Sequence, residues 1–141
     1  MTGFNIYEVQ KAVTTALKDN STLTGMLGNG VNGIRDNVAS AKGLIFPYLA
    51  YTDIQAESLD TTSSQGSIIY ITITAFTKTG NKKEASDIMK ALHTSLHRSD
   101  LIVTGFGYAM SRWDGFSTIM QEDVNADMFS GIIRFKITLG V

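Results

Sequence analysis

His93 and His97 stand one helical turn apart, a spacing that can hold a metal ion. The residues between them are Thr94, Ser95 and Leu96, so the glutamate of a zinc-peptidase helix is missing and no third ligand is apparent. His97, near a helix end, also suits the negative end of the helix dipole when charged. Two helix-surface imidazoles are the expectation. Asp123, Asn125 and Asp127 match the first, third and fifth positions of a calcium loop. Met128 then occupies the glycine position and Arg134 the position of the bidentate glutamate, so a capped hairpin turn is expected instead. The hydroxyls of Thr61, Thr62, Ser63 and Ser64 lie in no nucleophile elbow, and neither histidine can be tied to them. Gly25, Gly28 and Gly30 have the look of a phosphate loop but lack the following Lys-Ser/Thr and a strand to feed them; turns that need positive φ explain them. Arg112 and Trp113 offer a cation and an aromatic plane on which a base could stack. Without a basic stripe, Trp113 is expected to pack in a sheet or at a subunit contact. These residues define no catalytic residue, no metal site and no cofactor site, and the chain is not expected to be an enzyme.

Composition points the same way. The 141 residues carry 12 basic and 13 acidic side chains, a net charge of −1. Such a balance supplies no electrostatic footprint for general nucleic-acid binding. Cysteine is absent, which excludes disulfides, thiolate zinc sites and cysteine nucleophiles. No apolar run approaches the ~18 residues of a membrane span. The first residues, Met-Thr-Gly-Phe-Asn, lack the charged and apolar regions of a signal peptide, so folding in a cytoplasm is expected. A single domain spanning 1–141 is the natural reading of this length.

The elements that would position any site centre on residues 67–98. Residues 67–77 are dominated by β-branched and aromatic side chains, which suit a pleated sheet. Alternation places Ile69, Ile71, Ile73 and Ala75 on one apolar face, and Tyr70, Thr72, Thr74 and Phe76 on a mixed one. The second face is expected to be wet or covered by a partner. After residue 80 the period changes: Ala85, Ile88, Met89, Leu92 and Leu96 form one helical stripe that must cover the Ile row. Asn81 and Glu84 predict a capping box at its start.

Residues 4–18 predict a first helix, capped by Asn5 and Glu8, with Phe4 stapled on Val9 and a stripe of Ile6, Val9, Val13, Ala16 and Leu17. Ser21 is the expected cap of a short helical turn, and Gly28 its left-handed terminator. An edge strand is expected at 34–38 and a longer one at 47–54, opened by Pro47, where a missing N–H is harmless. Residues 55–66 are polar and small, with Leu59 the lone large apolar side chain, and read as a long mobile hairpin tip. A strand at 108–121, bulged at Asp114-Gly115, turns through 122–127 into a strand at 128–139. There Ile133, Phe135, Ile137 and Leu139 alternate with outward Arg134, Lys136 and Thr138. The expected class is α+β: an antiparallel sheet of about four main strands with two main helices on one face.

Order and spacing carry a resemblance. An N-terminal helix leads to the Leu/Gly-rich turn of residues 23–28, then Phe46-Pro-Tyr-Leu-Ala-Tyr51. A polar gap precedes Ile69-Tyr-Ile-Thr-Ile-Thr-Ala-Phe-Thr77, the helix with Ala85, Ile88 and Leu92 in register, and the hairpin containing Gly131-Ile-Ile-Arg-Phe-Lys-Ile137. Over nearly its whole length the chain resembles the tail completion, or tail-terminator, proteins of long-tailed bacteriophages and phage-derived particles. It departs from them between the last two strands, where the usual Asp/Pro/Gly-rich turn is replaced by Asp123-Val-Asn-Ala-Asp127.

The resemblance implies a virion protein at the head–tail junction, forming a homo-oligomeric ring, typically a hexamer. Such a ring caps the tail tube and receives the head-completion or neck proteins, and genomic DNA passes through it without specific binding. Glu57, Leu59, Asp60, Trp113, Asp123 and Asn125 are the candidate assembly residues, with Leu59 as apolar anchor and Glu57 and Asp60 as polar flanks. A neck or tail-tube protein of related fold, which would stack into filaments, and a small-molecule-binding α+β domain are the alternatives.

Overall fold

The computed structural model describes residues 6–28, 30–35, 45–58, 66–78, 82–123 and 128–140. Helix α1 spans Ile6–Lys18, α2 Ser21–Met26 and α3 Lys83–Leu96. The strands are β1 Ile34–Arg35, β2 Tyr48–Ser58, β3 Gly66–Thr77, β4 Ser99–Asp100, β5 Tyr108–Asp123 and β6 Met128–Gly140. They form one six-stranded sheet in the order β1-β2-β3-β6-β5-β4. Each of the four long strands runs antiparallel to its neighbours among them, as the order of elements predicts. The sheet as a whole is mixed rather than antiparallel, because the short β1 runs parallel to β2.

The Ile row organises the core. Ile69, Ile71, Ile73 and Ala75 are fully or almost fully buried, and so are Ile133, Phe135, Ile137 and Leu139 on the neighbouring β6. Val9, Val13 and Leu17 of α1 and Ile88, Leu92 and Leu96 of α3 complete one continuous cluster against this face. Burial of such aliphatic side chains, each worth about 1.5–3 kcal/mol, drives the layer closed. At Gly131 the helix lies so close that a β-carbon would sit 2.6 Å from Met89 Sδ.

Several local expectations change. Asn20, not Ser21, caps α2: its Oδ1 accepts from the N–H of Thr22 and Leu23 at 3.1 and 3.2 Å, while its Nδ2 reaches Ser95 on α3. A side chain one residue earlier does the capping and also ties two helices together. Gly28 is not left-handed; it is small because Phe46 carbonyl oxygen would overlap any β-carbon, and its N–H bonds Pro47 O at 2.9 Å across a cis Phe46–Pro47 junction. The cap position of α3 is Lys82, which makes no side-chain capping bond, and Glu84 Oε1 is buried without a partner among the described residues. Asn5, Asn81 and residues 36–38 of the expected edge strand lie outside the described residues.

Of the expected hairpin tip at 55–66, residues 55–58 belong to β2 and Gly66 to β3, and residues 59–65 lie outside the described residues. Strand β2 continues through Gln55, Ala56 and Glu57, which pair with Tyr70, Ile69 and Ile68. Weak strand formers are held here by the apolar run opposite, so packing overrides propensity. The second face of the sheet also differs from a purely wet one. Tyr48 stacks on Phe76 at 4.9 Å, and with Ala50 and Phe46 they make a small separate cluster.

Candidate assembly surface

Two edges of the sheet are incompletely covered. On one side β1 pairs β2 only at Leu49 and Ala50. On the other, β4 pairs β5 only at Ser111 and Met110. Beyond these points the outer sides of β2 from Thr52 and of β5 from Asp114 have no strand alongside among the described residues, and at Trp113 the edge N–H is taken by His97 Nδ1. Uncovered edges offer backbone N–H and C=O groups to another chain. Thr52, Asp53, Gln55, Ala56 and Glu57 are exposed, and Phe116 and Met120 are 50% and 47% exposed on β5.

The bulge at Asp114-Gly115 is present. Gly115 has φ +82°, and the β5–β6 register shifts between Trp113 and Ser117. Two extra residues on β5 re-aim the strand. Asp114 is thereby brought to Arg134 on β6, whose Nε donates to Oδ2 at 2.8 Å and whose guanidinium lies 5.2 Å from the Tyr70 ring centre. Arg134 is therefore a paired outward residue, not a free one.

The histidines are not simple surface side chains. Their rings stack at 4.5 Å, and His93 meets Trp113 edge-on at 5.5 Å. The backbone N–H of Trp113 donates to His97 Nδ1 at 3.1 Å, and Trp113 Nε1 donates to Phe116 O at 3.1 Å. With Nδ1 accepting, neutral His97 carries its proton on Nε2. Desolvation lowers the His97 pKa, and the nearby His93, Arg98 and Arg112 lower it further. A groove of about 470 Å³ runs beside this cluster between α3 and β5, lined in part by Lys82, Lys90, His93, Trp113 and Ile119. Arg112 and Trp113 are neighbours on a strand and so point to opposite faces; they do not form one stacking platform.

Of the candidate assembly residues, Glu57 is exposed on β2, Trp113 is half-buried on β5, and Asp123 ends β5 opposite Met128. They are not brought together: Glu57 lies at the β2 edge, and Asp123 at the other end of the sheet. Leu59, Asp60 and Asn125 lie outside the described residues. Sequence reasoning missed Arg98, Arg112 and Lys136 as a group. Arg112 faces Lys136 in register, and Arg98, with a left-handed φ of 55°, lines one hollow with Arg112 and Met110. Only the strand register reveals them, because they are far apart in sequence.

No curated protein sequence matches the chain. Among solved structures, a chain described as "Virion of native gene transfer agent (GTA) particle" is similar in fold. Its TM-score is 0.79 at 16% identity, covering 94% of this chain and 95% of that one. The family model described as tail completion protein gp17 matches residues 11–140, almost the whole chain, and the protein belongs to that family.

Proposed function

We propose that this is a structural virion protein whose copies close into a ring, six to a turn, that caps the tail tube and joins it to the head or neck. The observation that carries this reading is the open sheet with an uncovered edge on each side. Two different edges meeting head to tail through a fixed rotation build a closed ring. Membership of a tail completion family supplies the setting. Each copy contributes one domain, synthesised in the host bacterial cytoplasm and incorporated at the head–tail junction, and no enzymatic step is assigned to it. Glu57, Leu59, Asp60, Trp113, Asp123 and Asn125 remain the candidate contacts to the tube, the neck or a neighbouring copy. The genome passes through the ring without being gripped.

The mass of the native particle, with a negative-stain image, tests the reading. A closed annulus of about six copies is expected. Long filaments of the pure protein would point to a tube-like stacking protein instead. A discrete monomer or dimer with a ligand-raised melting temperature would point to a small-molecule-binding domain.

A further inference from the structure

The outer face of the sheet is divided by charge, and the division follows the strand register. One transverse row runs Gln55, Tyr70, Lys136, Arg112. Arg98, next to β4, stands at the same level, since Ser99 pairs Ser111. The cationic end of this row therefore lies at the β5 edge. At the β2 edge, exposed Asp53 and Glu57 flank the row on either side of Gln55. Among the described residues, the ion pairs are Lys11–Glu8, Lys83–Asp87 and Arg134–Asp114; none includes Arg98, Arg112, Lys136, Asp53 or Glu57.

These charges are too far apart to neutralise one another within one copy. Strands β2 and β5 are three steps apart in the sheet, about 14 Å at ~4.8 Å per step. That exceeds the Debye length of ~8 Å at physiological salt. Inside the cationic group, Arg112 and Lys136 sit directly opposite each other, an arrangement that repels.

We infer that the β2 edge of one copy seats against the β5 edge of the next, with Asp53 and Glu57 of the first meeting the Arg98 and Arg112 cluster of the second. The inference rests on the ring reading and names its two surfaces. The segment from His97 to Asp100 already lies along β5 at residues 110–113, so the contact is one between side chains of the outer face, where the long Arg98 and Arg112 side chains reach Asp53 and Glu57, and not a continued ladder. Exposed Asp100 on β4, at the Glu57 level, carries the same sign as Glu57 and weakens the contact there, while Asp114 at the Asp53 level is already held by Arg134. Because the surfaces differ, the contact is heterologous, as ring closure needs.

The test uses two variants of the full chain and native mass spectrometry at physiological salt. In D53K/E57K both edges become cationic; in R98E/R112E both become acidic. Each alone is expected to stay monomeric at concentrations at least tenfold above those at which the unaltered chain assembles, with an unchanged far-ultraviolet circular dichroism spectrum. An equimolar mixture is expected to recover the full particle mass, because alternating copies restore every opposite-charge contact. Assembly of either variant alone like the unaltered chain, or failure of the mixture, overturns the edge assignment and leaves the ring intact. Failure of the unaltered chain to assemble counts against the ring itself.

Discussion

Trp113 donates its backbone N–H to Nδ1 of His97 at 3.1 Å, joining the far end of α3 to the stretch of β5 where the bulge begins. Protonation of that nitrogen would remove the acceptor. The folded-state pKa of His97 lies below its ordinary value of 6.5, first through desolvation and then through the charges of His93, Arg98 and Arg112. At intermediate pH the unfolded chain therefore binds more protons at this site than the folded one. The stability it contributes is complete above about pH 6.5 and is lost as pH falls through the lowered folded value. Urea unfolding at pH 7 and pH 5 should show a smaller fall in midpoint for His97→Gln than for the unaltered chain. Equal falls would assign the acid sensitivity to other groups.

Ile71 is fully buried between the sheet and the helices, whereas Arg134 lies on the opposite face. Ile71→Ala is expected to cost about 2–5 kcal/mol through lost burial and a residual cavity. Arg134→Ala loses a partly exposed ion pair and a contact with Tyr70, and is expected to cost about 1 kcal/mol. Chemical denaturation that ranked Arg134→Ala as the larger loss would reverse the assignment of faces.

Two glycines near each other should respond with opposite signs. Gly25 lies within α2 with open space where a β-carbon would go, so Gly25→Ala should stabilise by about 0.4–1 kcal/mol. At Gly28 the added carbon meets backbone, not a flexible side chain, and Gly28→Ala should cost about 1–3 kcal/mol. Thermal melts of the two variants give the comparison directly.

Ser111 is completely buried, and its hydroxyl has no hydrogen-bond partner among the described residues. Replacing an unsatisfied polar group by an apolar one of similar size is nearly neutral or stabilising. Ser111→Ala should therefore unfold at the same denaturant concentration or higher. A loss of about 1 kcal/mol or more would show that the hydroxyl is satisfied in solution.

Duplex DNA should bind the isolated chain no tighter than ~10⁻⁴ M at physiological salt, the weak limit of non-specific binding. The cationic group at the β5 edge is small, and the net charge of −1 opposes any broad attraction. Sub-micromolar affinity with a steep salt slope would make the β5 edge a nucleic-acid surface instead.

The core was legible because it is written in short-range periodicity. Ile69, Ile71 and Ile73 announce their face by alternation alone, and the stripe of α3 announces its own by threes and fours. The bulge at Asp114-Gly115 was legible for a similar reason, since glycine accepts the positive φ that the bulge needs. What depended on pairing between distant segments was not. Gln55, Ala56 and Glu57 look like loop until Ile68, Ile69 and Tyr70 are set beside them. His93 and His97 read as a helix-surface pair, and Trp113 as a sheet or subunit-contact residue unconnected with them, until α3 is laid across β5. The opposition of Arg112 to Lys136 is a fact of register, and register is a property of the folded sheet.

The position of β6 between β3 and β5 has a consequence for the order of events at the ribosome. Strand β3 is complete at Thr77, but the strand that closes its second edge begins only at Met128. At the ~5–20 residues per second of synthesis, that interval lasts on the order of seconds. Throughout it, the apolar row of β3 has a neighbour on one side only, and β5 emerges with no long partner of its own. Once made, β6 pairs β3 on one side and β5 on the other and so joins the two parts. A chain that stops short of Met128 lacks the strand that brings the β2 edge and the β5 edge into one sheet.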